Sequence, residues 1–177
     1  MSENLLGSEF KRWERIDSVI YDMTQIPSSQ HQGVVGSLYG ELYAYLKGKQ
    51  CKAFPSPFGV WLDEKNEEYV EPDITVVCDP SKIHRKGCIG TPDLVIEVLS
   101  PATALKDKRM KLRCYQLSGV LEYWIVDPFN KIMEVYKLSE NGLTEPQVYG
   151  KDGTVKVGIF EDLEISLHDI FNCEQKG

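Results

Sequence analysis

An α/β (α+β) fold, a mixed β-sheet flanked by helices, is what this chain predicts, and three observations carry it. Two segments, 30–47 and 105–117, repeat their apolar residues at helical spacing. Short apolar runs at 74–78, 94–99 and 121–126, bounded by Pro, Asp and Gly, read as strands, the first two rich in β-branched residues and the third as a buried strand. The runs and the helices interleave, as they do when helices cover a sheet.

The elements follow in order. Residues 13–16 and 19–23 alternate apolar and polar about Asp17-Ser18, an N-terminal hairpin whose Ser18 is a weaker turn residue than glycine. After Pro27, residues Val34, Val35, Leu38, Leu42, Tyr45 and Leu46 line one face of helix one, over 30–47, and Gly48 ends it. Segments 58–62 and 69–78 read as strands separated by the charged turn 63–68. Segment 79–91 reads as a long, glycine-containing basic loop, and loops of that length in compact domains are usually functional or mobile. The strand 94–99 ends at Ser100-Pro101, and helix two covers 105–117 and closes at Gly119. A buried strand at 121–126 turns at Asp127-Pro128 into 132–138, with Asn141-Gly142 and a strand at 145–149 behind it as a C-terminal hairpin. Leu163, Ile165 and Leu167 alternate ahead of Ile170-Phe171, a pattern that fits a strand or a short helical turn.

With 177 residues, 42% of them hydrophobic, the chain can bury one substantial core, so a single domain over 1–177 is expected, its core at about 28–128. No segment approaches the ~18 apolar residues of a membrane span and the N-terminus lacks a signal-peptide core, which predicts a cytoplasmic protein without a membrane partner. Cys51, Cys78, Cys88, Cys114 and Cys173 are odd in number and widely spaced, so they are expected reduced and partly buried. His31, His84 and His168 are isolated from one another, which argues against a histidine-based transition-metal site. The net charge is −7, yet residues 82–113 hold eight Lys/Arg against Asp93, Glu97 and Asp107, a local balance of +5 that leaves −12 elsewhere. Such a segment reads as a nucleic-acid contact or as a solvated loop and helix face.

Chemistry concentrates where Pro72-Asp73 and Pro92-Asp93 each run into an apolar stretch, the second carrying Glu97 amid Leu94-Val95-Ile96-Glu97-Val98-Leu99. A charge within a strand costs several kcal/mol unless something pairs with it. Asp73 and Glu97 each lie twelve residues from Arg85, so antiparallel pairing through a loop centred there sets them opposite each other. Two converging carboxylates suit a hard divalent ion, Mg²⁺ or Mn²⁺. Alternatively, a basic side chain from helix two pairs with Glu97, and Asp73 merely starts a turn. By strand period, Asp93, Val95, Glu97 and Leu99 face one way and Leu94, Ile96 and Val98 the other. Asp93 is four residues from Glu97, ~13 Å along a strand, and so reads as a turn or cap residue. On helix two, Asp107, Lys108, Lys111, Leu112 and Tyr115 share a stripe. Lys111 either points its ammonium at the Glu97 site or pairs with Asp107 on a wet face.

The run Pro92 to Pro101, followed by Thr103, Asp107, Lys111, Tyr115, Gly119-Val120, Glu122-Tyr123-Trp124 and Asp127-Pro128, closely resembles the Uma family of restriction endonucleases, part of the PD-(D/E)XK nuclease superfamily. Upstream, Glu71-Pro72-Asp73 and His31-Gln32 at the start of helix one match as well, so the resemblance spans about residues 12–171. It implies a restriction-endonuclease-like core and metal-dependent hydrolysis of phosphodiesters in DNA. Asp73 and Glu97 match the superfamily carboxylates, and the backbone carbonyl of Val98 is an implied ligand of Mg²⁺ or Mn²⁺. The lysine of Glu-x-Lys is Leu99 here, and Lys111 matches a lysine migrated to the following helix. Glu41 matches weakly the acidic position on helix one, and a solvent-facing glutamate is the competing reading; Asp93 is a second subsidiary candidate. Lys82, Arg85, Lys86, Lys106, Lys108 and Arg109 are expected to meet DNA phosphates, positioning the strand without reading it. A homodimer is compatible with the chain, which carries no pattern that decides oligomeric state. The alternative function is a catalytically silent nuclease-fold module that binds nucleic acid or protein.

Overall fold

The structure, a computed structural model, describes residues 12–23, 26–63, 68–100 and 107–172. It opens with the hairpin β1 (Trp13–Ile16) and β2 (Val19–Asp22), whose turn residues Asp17 and Ser18 both adopt left-handed backbone, φ 49° and 64°. That is the primed two-residue turn whose twist matches the flanking strands. Helix α1 (Ser29–Leu46) is capped by Ser28, whose Oγ accepts from the His31 N–H at 3.2 Å. It buries Val34, Val35, Leu38, Leu42 and Leu46, the face expected from spacing.

Two large sheets replace the one that was expected. The strand β3 (Lys52–Pro55), which periodicity did not single out, lies at the edge of the second sheet, while β4 (Gly59–Trp61) belongs to the first. The expected strand over 69–78 is two, β5 (Tyr69–Val70) in the first sheet and β6 (Ile74–Val77) in the second. Pro72 cannot donate to a ladder, so the chain changes sheets across Glu71-Pro72-Asp73 and leaves Asp73 at the crossing.

Segment 79–91 is not the open loop expected. A 3₁₀ turn (Pro80–Lys82) leads into the hairpin β7 (Ile83–His84) and β8 (Gly87–Ile89), with Arg85-Lys86 at its tip. There β8 runs parallel to β4, and Gly87 sits at φ 142° with its backbone so close to Gly59 that a Cβ would meet the Gly59 carbonyl oxygen at 2.1 Å. Only glycine permits that approach.

Strand β9 (Leu94–Val98) is followed by a π-helical turn (Asp107–Lys111) that runs into α2 (Leu112–Ser118), so the first described turn of helix two is wider than an α-helix. Gly119, at φ 83°, caps it as expected. Then come β10 (Glu122–Asp127), β11 (Ile132–Ser139), β12 (Gly142–Leu143), β13 (Gln147–Gly150), β14 (Thr154–Lys156), β15 (Glu164–Ser166) and the short α3 (Leu167–Phe171). The C-terminal alternation is thus a strand and then a helical turn. The expected charged turn at 63–68, Ser100-Pro101 and the start of helix two at 105 lie partly outside the described residues.

The second sheet runs β12-β11-β10-β9-β6-β3, with β9 antiparallel to β6 and parallel to β10. Leu94, Ile96 and Val98 pack on α1 and the C-terminal elements, while Val95 and Leu99 face Tyr115, Tyr123 and the first sheet, as the period-two pattern requires. The sheet therefore has a core on each face. One expectation about cysteine is corrected: Cys51 and Cys78 form a disulfide. The β3–β6 register that pairs Lys52 with Val77 sets them opposite each other, which their separation of 27 residues conceals. Cys88 and Cys114 are free and buried, and burial pushes their thiols up to about 11 and about 12. Cys173 lies outside the described residues. Among the described residues no helix is long and apolar enough to cross a membrane.

Candidate active site

The site forms where β6, β9, α1, α2 and the N-terminal hairpin meet. The β6–β9 ladder ends with Ile74 paired to Ile96, the register read from the sequence, and Asp73 and Glu97 are the next residue beyond that pair on each segment. Glu97 is 3% exposed, and its partners come from the helix that follows. Its Oε1 lies 2.7 Å from the Lys111 Nζ and accepts the Tyr115 hydroxyl at 2.8 Å. Lys111 and Tyr115, four residues apart, share the inner stripe, and Lys111 is 1% exposed. The expected alternatives for Lys111, a wet face or the Glu97 site, are decided for the latter. Burial above all, with the charge of Glu97 beside it, holds the Tyr115 hydroxyl well above its ordinary pKa, so it donates.

Lys111 has a second acid partner that sequence reading missed. Glu14 of β1, wholly buried, places Oε1 2.8 Å from the Lys111 Nζ and accepts the Glu71 N–H at 3.0 Å. The available signal was its inward place in the hairpin, in phase with Ile16. Asp73 is held from another side: its Oδ2 accepts the Val98 N–H at 2.8 Å and lies 3.3 Å from the His31 Nε2. Burial lowers the basicity of His31, but the hydrogen bond and charge of Asp73, with bonds to Gln32 and the Val98 backbone, outweigh it, and the pKa is raised. His31 was visible only as part of a motif; its partner emerges from the packing of α1 against the sheet end.

Asp73, Glu97, Val98, Lys111 and His31 all line one cavity of about 1060 Å³. Against this geometry, a model of the Uma2 family, described as "Putative restriction endonuclease", matches residues 4–168. The chain belongs to the Uma2 family. Among proteins similar to this Uma2 chain, "Uncharacterized protein slr1290" of Synechocystis sp. (strain PCC 6803) is 28% identical over 148 residues, covering 78% of this chain and 76% of that protein. A second from the same organism, "Uncharacterized protein sll1609", is 28% identical over 113 residues, covering 62% and 63%. A crystal structure of a putative nuclease belonging to DUF820 from Anabaena variabilis superposes with a TM-score of 0.75 at 23% identity, over 91% of this chain and 90% of that one. The Uma2 chain has a restriction-endonuclease-like fold.

The remaining candidates of this Uma2 chain are dispersed. Glu41 is exposed on α1 and does not line the cavity. Asp93 sits beyond the other end of β9, where its Oδ2 accepts the Cys78 N–H at 2.7 Å and its own N–H donates to the Val76 carbonyl. That is a capping role. Of the basic residues, Arg109 lines the cavity, whereas Lys82 donates to the Thr91 carbonyl at 2.8 Å, Lys108 pairs with Glu134 at 2.7 Å, and Arg85 and Lys86 are exposed at the β7–β8 tip. Lys106 lies outside the described residues.

Proposed function

We propose that this chain is a Mg²⁺- or Mn²⁺-dependent endodeoxyribonuclease that hydrolyses phosphodiester bonds through Asp73, Glu97 and Lys111. The observation that supports this most is the sharing of one cavity by two carboxylates on adjacent strand ends and a buried lysine 2.7 Å from one of them. Among the described residues no three His, Cys, Asp or Glu side chains are grouped as a metal cage. Two carboxylates still fit the expected ion, because Mg²⁺ is commonly held by one or two carboxylates, with waters and substrate phosphate completing its shell. Asp73, Glu97 and the Val98 carbonyl would hold it. When bound, the ion lowers the pKa of a coordinated water and offsets charge growing on the phosphate.

The chain's own residues supply the rest. Lys111 orients the attacking water or adds positive charge beside the phosphate, in a site where low solvent access strengthens that charge. Tyr115 fixes the oxygen of Glu97, and His31 and the Val98 N–H fix Asp73. Arg109, exposed at the cavity wall, meets a backbone phosphate. The same ion pairs also favour a second reading, the silent binding module, because Lys111 and His31 already pair with Glu97 and Asp73.

Cleavage assays separate the two. Purified protein should nick or cleave DNA with Mg²⁺ or Mn²⁺ and stop on addition of chelator. Glu97→Gln, which keeps the side-chain volume, should abolish cleavage and weaken Mn²⁺ binding. Lys111→Met should lower turnover while Mn²⁺ still binds. No cleavage of single-stranded, double-stranded or branched DNA with either metal would leave the binding module as the better reading.

A further inference from the structure

We propose that Glu14 is a positioning residue of this site: the N-terminal hairpin supplies it as a second anchor that keeps the Lys111 ammonium in place when Glu97 engages a divalent ion. The inference rests on the nuclease reading above and extends it to a residue outside the strand-and-helix motif.

The first observation is placement. On β1, Glu14 and Ile16 face inward and are wholly buried, while Trp13 is exposed. A position in phase with Ile16 within an apolar layer would ordinarily take an aliphatic residue, because a buried carboxylate needs costly compensation. The compensation is specific: one oxygen, Oε1, meets both the Lys111 Nζ at 2.8 Å and the Glu71 N–H at 3.0 Å. Glu71 lies two residues before Asp73, so Glu14 ties the lysine to the segment that carries the other carboxylate.

The second observation is that the hairpin bonds two segments of the site. Arg12 bonds Glu71 Oε2 through Nε and Ser56 Oγ through Nη2, each at 2.7 Å. From β2, the Tyr21 hydroxyl lies 3.0 Å from the Sδ of Met110, the residue before Lys111. Arg12 and Tyr21 line the same cavity as Asp73 and Glu97. The hairpin is thus a wall of the site and holds the π-helical turn from which Lys111 projects.

The third step is electrostatic. Lys111 now leans on the Glu97 oxygen that also accepts from Tyr115. A divalent ion on Glu97 would repel an ammonium hydrogen-bonded to the same group. Without Glu14 the lysine would lose the carboxylate that holds it when an ion takes Glu97, and would be driven to leave or to exclude the ion. Glu14, fixed by a backbone donor and placed on the hairpin side, lets it do neither.

The test follows the lysine ammonium directly in ¹H–¹⁵N spectra of the full chain, with the Lys111 signal assigned by its loss in Lys111→Met. In the wild type it should persist both without metal and at saturating Mg²⁺. In Glu14→Gln it should persist without metal and vanish at saturating Mg²⁺. A signal retained in Mg²⁺-saturated Glu14→Gln, or lost from Mg²⁺-saturated wild type, overturns the proposal. Should Glu14→Gln not fold, Glu97→Gln gives an independent measurement: with Glu14 in place the signal should persist, and its loss from a folded Glu97→Gln protein rejects the anchor. Saturation is judged by calorimetry. If wild type binds neither Mg²⁺ nor Mn²⁺, the nuclease reading itself falls and takes the anchor with it; metal binding with an unmoved Glu14→Gln signal condemns the anchor alone. In an active enzyme, Glu14→Gln should lower kcat by about tenfold or more with KM nearly unchanged and should add nothing to Lys111→Met, as residues acting as one unit do. Full additivity of the two changes would assign Glu14 a purely structural role.

Discussion

At the scale of single residues, the site is a set of buried charges that satisfy one another, and each pairing has a measurable consequence. His31 beside Asp73 has a raised pKa, so its pairing stabilises the fold fully below about 6.5, the unfolded value, and that contribution is lost as pH rises through the higher folded value. His31→Gln should therefore destabilise the protein more at pH 6 than at pH 9 in urea titrations; equal losses at both would mean the imidazole is neutral throughout. Tyr115→Phe removes a donor to a buried carboxylate and should cost about 1.5–3 kcal/mol while leaving the core packed. Glu122, in the Glu122-Tyr123-Trp124 run, is explained by architecture: its carboxylate accepts from the Trp124 indole at 2.8 Å and the Ile159 N–H at 3.1 Å. Burial raises its pKa, outweighing those bonds and nearby Lys137.

At the scale of elements, two features set the site. The break at Pro72 divides one apparent strand between two sheets, and the π-helical turn at Asp107–Lys111 aims Lys111 at Glu97 while Tyr115 follows one turn later. Neither is a matter of apolar spacing: a π turn shifts the register of a helix without altering which residues are apolar. The N-terminal hairpin carries a local cost, since Ser18 at φ 64° occupies backbone that suits glycine. Ser18→Gly should therefore raise the unfolding free energy by about 1 kcal/mol, read as a shifted denaturation midpoint at constant slope. No shift would mean that Ser18 contributes an offsetting bond.

For the whole molecule, the distribution of charge decides how nucleic acid would approach. The +5 balance read along residues 82–113 does not survive as one surface, because Lys82 and Lys108 are already engaged and Arg85-Lys86 stand at a hairpin tip that does not line the cavity. DNA binding should be weak and should fall steeply between low and physiological salt. Arg109→Ala should weaken it more than Arg85→Ala and Lys86→Ala combined, as measured by fluorescence anisotropy at fixed ionic strength. The opposite order would move the binding surface to the β7–β8 hairpin.

What the sequence determined by itself is local and periodic. The helical face of α1, the alternation about β9, the Asp17-Ser18 turn, the Gly119 stop and the β6–β9 register that pairs Ile74 with Ile96 all follow from residues near one another or from a symmetric loop count. Tertiary structure alone decided the division into two sheets, the Cys51–Cys78 bridge and the partners of the buried charges. Glu14 meets Lys111 across 97 positions of chain, and His31 meets Asp73 across 42. Periodicity states which side of an element a residue occupies; it does not state which other element arrives there, and a buried charge is defined by that arrival.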